Sequence, residues 1–173
     1  MSLPAILDSL PDYARDLKVN LQNVLQQQEL TAQQTWMTAV ACALTSRNAR
    51  LSKAIVEEAS AKLSPEAMNA AKAAFAIMGM NNVFYRFKHM IAKEEYQQIP
   101  ARLRMQMIRM HGGDPADFEL VCLAASAIKG CEACVKSHEA VVREKGVSAE
   151  AVTASVRIAS TMHAVAAVLD AEA

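Results

Sequence analysis

The sequence predicts an all-α domain, on three observations. Hydrophobic residues make up 53% of the 173 residues while aromatics make up only 5%, so the core must be built from Ala, Leu, Val, Ile and Met. Ala, Leu and Met are strong helix formers. Five glycines and five prolines punctuate the chain, too few breakers for the many turns of a large sheet. Apolar residues recur at helical spacing behind residues that cap helices well. The length suits one domain with a real core and is short for two, so residues 1–173 read as a single all-helical domain.

Charge excludes several partners. Eighteen basic and eighteen acidic side chains leave a formal net charge of +0, which argues against nucleic acid, because phosphate recognition needs a basic footprint. No polybasic membrane signal is present either. The first residues, MSLPAILDSLPDYARD, carry acids early and lack a positive start followed by an apolar run, so no secretory leader is expected. The apolar run from Ala159 to Leu169 contains His163 and by itself is too short to span a bilayer. The expected location is the cytoplasm, where thiols are kept reduced.

The elements follow in order. Residues 3–28 predict two short amphipathic helices, the second starting at Pro11-Asp12 and carrying Tyr13, Leu17, Leu21, Val24 and Leu25. Thr31 is placed to cap a helix with Trp36, Val40 and Leu44 that ends around residues 45–48, and residues 51–63 read as another helix. Ser64-Pro65-Glu66-Ala67 is a strong helix start, with proline where its missing N–H costs nothing, and this helix is expected to run to about Met78. The segment GMNNVFYRFKHMI, 79–91, predicts a kink or break; it reads either as a break before a core cluster of Phe84, Tyr85 and Phe87 or as the wall of a site. Residues 100–115, ending in His111-Gly112-Gly113-Asp114-Pro115, read as a long connection. A helix over 118–130, a second ending near Lys145-Gly146 and a third capped by Ser148 complete the chain.

The layout repeats. Leu63-Ser64-Pro65-Glu66-Ala67-Met68 precedes Val147-Ser148-Ala149-Glu150-Ala151-Val152 by 84 positions, and Met78 precedes Met162 by the same offset. Two helical units are therefore expected, at 30–90 and 114–173, with Arg47 and Arg50 standing where the second unit has Cys131 and Cys134.

The chemistry-bearing stretch is SAIKGCEACVKSHEA, 126–140. On a helix, Cys131, Cys134 and His138 fall at i, i+3 and i+7 along one face, and Gly130 marks the break before it. A helix start, a nearby cation or a CxxC partner lowers a thiol pKa. Cys131 stands nearer the helix start and Cys134 nearer His138, which can shuttle a proton. Glu119, from the preceding antiparallel helix, is the candidate carboxylate to orient His138, with Glu132 and Glu139 read as solvent-facing. The two sulfurs are close enough in sequence to cycle between dithiol and disulfide. The rival is zinc, for which a lone CxxC supplies two of four ligands and no second pair exists. Cys42 and Cys122, single cysteines on apolar faces, read as inert buried thiols. His163 reads as a core histidine on the apolar face of the last helix, and His89 and His111 as solvated.

Glu119, Cys131-Glu132-Ala133-Cys134 and His138-Glu139, taken with Met78-Gly79-Met80-Asn81-Asn82-Val83-Phe84-Tyr85-Arg86, resemble the AhpD-type alkyl hydroperoxidases of the wider carboxymuconolactone decarboxylase-like superfamily. The likeness covers nearly the whole chain. It implies an all-helical, cytoplasmic homotrimer that needs no cofactor. Such a protein reduces alkyl hydroperoxides and regenerates an AhpC-type peroxiredoxin, and a lipoyl-bearing acyltransferase (dihydrolipoamide) reduces it in turn. In that reading Cys134 attacks peroxide, Cys131 resolves, the two form the redox disulfide, and Glu119 and His138 relay protons. Some members carry a histidine before the second cysteine, where this chain has Ala133. The competing functions are a decarboxylase or lactone-processing enzyme without a redox cycle and a zinc-stabilised scaffold.

Overall fold

The computed structural model describes residues 2–173. Among them the regular structure is helical throughout: α1 (Leu3–Asp8), α2 (Arg15–Val24), α3 (Ala32–Ser46), α4 (Ala49–Ser60), α5 (Pro65–Ile91), α6 (Glu94–Gln98), α7 (Met107–Met110), α8 (Pro115–Ile128), α9 (Glu132–Glu144) and α10 (Ala149–Ala171). A 3-10 turn at Asp12–Ala14 leads into α2. The predicted all-α class is therefore the observed one.

The centre is α3 packed against α5, α8 and α10. The middle of α3, Met37 to Ala43, and the stretch Leu120 to Ser126 of α8 are buried on every side, as expected for helices that are apolar all round. Many of these positions are Ala or Cys, and small side chains let the backbones approach closely. The outer helices α4 and α9 are amphipathic: α4 turns Leu51, Ala54, Ile55 and Ala59 inward, and α9 turns Cys134 and Val142 inward.

Side-chain caps set the helix starts. Thr31 and Gln34 form a reciprocal capping box at α3. Asn48, Ser64, Asp114 and Ser148 each accept a first-turn N–H of the helix they precede. At α9 the cap position is Cys131, which supplies no side-chain hydrogen bond. The caps also refine the register between the two halves. Thr31 and Asp114, and Asn48 and Cys131, lie 83 positions apart, while Ser64 and Ser148 lie 84 apart. In cap order Asn48 holds the place before α4 that Cys131 holds before α9, and α9 is one residue longer than α4.

Several expectations require correction. Residues 79–91 contain no break: α5 runs unbroken for 27 residues to Ile91 and stops where Ala92 turns left-handed at φ 51°. A lone helical glycine costs only about 1 kcal/mol relative to Ala, and tertiary contacts outweigh it here. Asn82 is buried, and its Oδ1 accepts the Ser126 hydroxyl of α8 at 2.9 Å. Nor do the aromatics make a core cluster, since Phe84 and Tyr85 meet edge to face while Phe87 lies outside, 47% exposed. His163 is exposed on α10, its neighbours Met162, Val165 and Ala166 taking the inner positions. The run Ala159–Leu169 belongs to a 23-residue helix that is long and apolar enough to cross a membrane. That helix instead buries Ile158, Met162, Val165 and Leu169 in the core.

His111 is also buried. Its ring stacks on Phe118 with centroids 4.0 Å apart, and Nδ1 accepts the Gly113 N–H at 3.1 Å. A Cβ on Gly113 would stand 3.0 Å from the Ala70 Cβ of α5, so glycine allows this close approach. These contacts fasten the end of the 92–114 connection onto α5 and α8. Burial lowers the His111 pKa, opposed by the nearby Glu119 and Asp114 charges. An unfolded histidine binds its proton more readily, so stability is present above the ordinary histidine pKa and is lost as pH falls through the lower folded value. In thermal unfolding, His111→Gln is expected to flatten the decline in midpoint between pH 7.5 and 5.5. An equally steep decline in the variant would refute the assignment.

Candidate active site

The site is built where α8 ends and α9 begins. α8 closes with Lys129, Gly130 takes the left-handed turn at φ 62°, and Cys131 occupies the position before the first turn of α9. Two bonds hold this corner: the Cys131 N–H donates to Ser126 O at 3.2 Å, and the Arg86 guanidinium of α5 donates to the Lys129 carbonyl. The corner places Cys131 and Cys134 in the first turn of α9, with Cα atoms 5.3 Å apart and their sulfurs joined in a disulfide. Both sit at the positive end of the α9 dipole, which favours thiolate over thiol.

The two sulfurs are not equally accessible. Cys131 is fully buried, whereas Cys134 is 7% exposed and forms part of a cavity of about 310 Å³. One turn further along α9, His138 Nδ1 lies 2.6 Å from Glu119 Oε2 on α8. Both side chains are mostly buried, so water screens this pair weakly. The carboxylate fixes Nδ1 as the protonated nitrogen and leaves Nε2 for other partners. Nε2 faces the Met78 sulfur at 3.3 Å, and the Ser126 hydroxyl approaches the same sulfur at 3.4 Å. With the proton on Nδ1, neutral Nε2 and the thioether are both acceptors, so no hydrogen bond holds this edge of the imidazole against a better partner.

Cys134, His138 and Glu119 thus line one cavity, which their separation in sequence required α8 and α9 to create. α5 supplies Met78, Asn81 and Tyr85, and the connection between α6 and α8 supplies Met105 and Ile108. Together with Val141 these make walls that are apolar over much of their area. Of the two readings of residues 79–91, the wall of a site is the one this arrangement matches. Met78, Asn81 and Tyr85 recur at i, i+3 and i+7, the spacing of Cys131, Cys134 and His138, and that was the available signal. Met105 and Ile108 carried none, lying in a stretch without periodicity.

The remaining candidates lie elsewhere. Cys42 and Cys122 are free and buried, and burial pushes both thiols well above the ordinary range, with the Glu119 charge adding to the effect at Cys122. Glu132 is exposed as expected, but it is also paired: it meets Lys136 and lies 3.1 Å from His89 Nε2. The Lys136 ammonium, with His89, holds its carboxyl below the usual range. His89 is therefore an ion-pair partner, and Glu139 lies 3.8 Å from Arg143 on the surface. Among the described residues no three His, Cys, Asp or Glu side chains gather into a metal-binding group.

An all-α frame here gathers a cysteine pair, an imidazole and a carboxylate at one cavity, the class of site that can support thiol–disulfide chemistry. The Carboxymuconolactone decarboxylase family model matches residues 94–173. Three curated proteins named alkyl hydroperoxide reductase AhpD match the whole chain or nearly so. That of Solibacter usitatus is 58% identical over 100% of this chain and 98% of its own. That of Gluconacetobacter diazotrophicus is 54% identical over 100% and 95%, and that of Koribacter versatilis 53% identical over 99% and 89%. The chain belongs to the AhpD family of alkyl hydroperoxide reductases, and it is an oxidoreductase of the peroxidase type.

The accessibilities predict an order of thiol reactivity. After reduction under native conditions, an alkylating reagent is expected to label Cys134 first, and Cys42 and Cys122 only on denaturation. Peptide mass spectrometry over a labelling time course checks this; early labelling of Cys122 would contradict it.

Proposed function

We propose that the protein reduces alkyl hydroperoxides and restores the oxidised cysteines of an AhpC-type peroxiredoxin through a Cys131/Cys134 dithiol–disulfide cycle. The observation that carries this reading is the disulfide itself, with its more accessible sulfur in a cavity shared with the His138–Glu119 pair. In the cycle the Cys134 thiolate attacks the terminal peroxide oxygen, the O–O bond breaks, and the alkoxide leaves. His138 gives that alkoxide a proton, with Glu119 holding Nδ1 and stabilising the imidazolium. Cys131 then attacks the sulfenic sulfur, water departs, and the disulfide forms.

The apolar walls favour an alkyl hydroperoxide over hydrogen peroxide, because only the former buries a hydrocarbon chain there. A dihydrolipoyl arm of an acyltransferase is the proposed electron donor. A slender dithiol suits a sulfur so little exposed better than a cysteine on a folded surface. The proposed setting is the cytoplasm, where thiols are kept reduced and a dithiol–disulfide cycle can be re-reduced. Val83, Phe87 and Met90 form an exposed apolar strip on α5 that supports assembly into a homotrimer. We read 30–90 and 114–173 as two copies of one helical unit, of which the second bears the dithiol; the matching order of caps supports this.

Hydroperoxide reduction measured with excess dihydrolipoamide, and compared with thioredoxin and glutathione as donors, tests the cycle. Cys134→Ser is expected to abolish turnover. Glu119→Gln is expected to lower it by about 10²-fold, within the usual contribution of a positioned proton-transfer group. Activity surviving Cys134→Ser, or insensitive to thiol alkylation, would replace this reading with the decarboxylase-like one.

Ala133 also lines the cavity, without a proton-carrying group. Direct peroxide turnover is therefore expected to be weaker than disulfide reduction, and Ala133→His to raise the former selectively. No gain, with both thiols still titratable, would remove Ala133 from the account.

A further inference from the structure

We infer that Asn81 binds the terminal O–H of the hydroperoxide, with its side-chain carbonyl oxygen as acceptor; this rests on the peroxide reading above. Asn81 is 5% exposed and belongs to the cavity wall beside Met78 and Tyr85. Its Oδ1 is buried without a hydrogen-bond partner. A buried acceptor left unpaired is destabilising, and such orphans are uncommon enough to call for a partner from outside the chain. The other unpaired buried side-chain atoms among the described residues belong to Thr38, Thr45 and Asn82, none of which lines this cavity. Asn81 is the one of these four residues that lines the reactive sulfur's cavity.

The missing partner must be a donor. Of the cavity's other polar side chains, Glu119 is itself an acceptor, His138 Nδ1 is engaged by Glu119 and Nε2 faces Met78, and the hydroxyls of Tyr85 and Ser137 make no hydrogen bond to Asn81 Oδ1. An alkyl hydroperoxide carries one O–H, on the oxygen that Cys134 must attack. Held by Asn81 Oδ1, that oxygen is oriented while the alkyl group lies against Tyr85, Ile108 and Val141. The sulfur–oxygen bond forms as the O–O bond breaks. The alkoxide takes a proton from the His138 imidazolium and leaves as alcohol. The terminal hydrogen stays on its oxygen in Cys134–S–O–H, so sulfur is oxidised and peroxide reduced by two electrons. Asn81 then holds the sulfenic O–H until Cys131 attacks.

The test uses the full chain carrying Cys131→Ser, which isolates the first step. Two rates are measured with and without Asn81→Leu, a near-isosteric change. One is sulfenic acid formation at Cys134 with tert-butyl hydroperoxide, trapped by dimedone; the other is Cys134 alkylation by iodoacetamide, which brings no O–H to this step. The expected result is a loss of about tenfold or more in the first rate, equivalent to about 1.4 kcal/mol, with the second unchanged. Asn81→Gln, which keeps the carbonyl, is expected to recover part of the loss. Equal losses in both rates would reduce Asn81 to a structural role, and no loss in either would leave its carbonyl to solvent; each overturns the inference. If Asn81→Leu fails to fold, Asn81→Ala is read by the same two rates. Failure of the parent Cys131→Ser protein to form sulfenic acid at all would instead overturn the peroxide reading.

Discussion

The contact between Glu119 and His138 is the interaction on which the site depends. It joins α8 to α9 across the corner at Gly130, and it does so between two mostly buried side chains. If the carboxylate is lost, the imidazole keeps only a weak thioether contact at Nε2. Both the tautomer and the direction of the ring then become free. The backbone reinforces the same corner from the other side, where Arg86 satisfies the Lys129 carbonyl and Ser126 accepts the Cys131 N–H. The cysteine pair is therefore held by α8 from behind and by α5 from the side, on helices rather than on a mobile loop.

The helix caps differ between the two halves of the chain. In the first half the counterpart of Cys131 in cap order is Asn48, which caps α4 through Leu51 N–H at 2.8 Å and reaches Asp170 at 2.6 Å. A good cap contributes about 0.5–2 kcal/mol, and α9 begins without one. Its first-turn N–H groups have no side-chain cap, and a helix start of this kind favours a thiolate beside it.

Much of this was legible in the sequence, for identifiable reasons. Helix starts at Thr31, Ser64 and Ser148 are dictated by side chains that act over three residues, so local reading located them. The face shared by Cys131, Cys134 and His138 is likewise a matter of helical spacing. Glu119 emerged as a partner because α8 and α9, joined by a short turn, pack side by side. The misread positions depend on tertiary packing. Residues 79–91 look like a break until Asn81 and Asn82 have an interior to face, and His111 looks solvated until Phe118 lies beneath it. Met105 and Ile108 join the cavity because the connection is fastened on both sides of them, by Lys88 to the Gln97 and Ile99 carbonyls and by His111 and Gly113 against Phe118 and Ala70.

That pinning links stability to access. The cavity over Cys134 is walled on one side by α5 and α9, which are long and packed, and on another by a connection containing only four- and five-residue helices. Such short helices have little stability of their own; this wall is held by its anchored end more than by its own structure. Opening it exposes Cys134 before Cys131, because Cys131 lies behind the first turn of α9 and is fully buried. Under the proposed cycle an incoming thiol meets Cys134 first, and Cys131 becomes the leaving group. One difference in exposure would then set both the peroxide-facing sulfur and the sulfur that a reductant reaches.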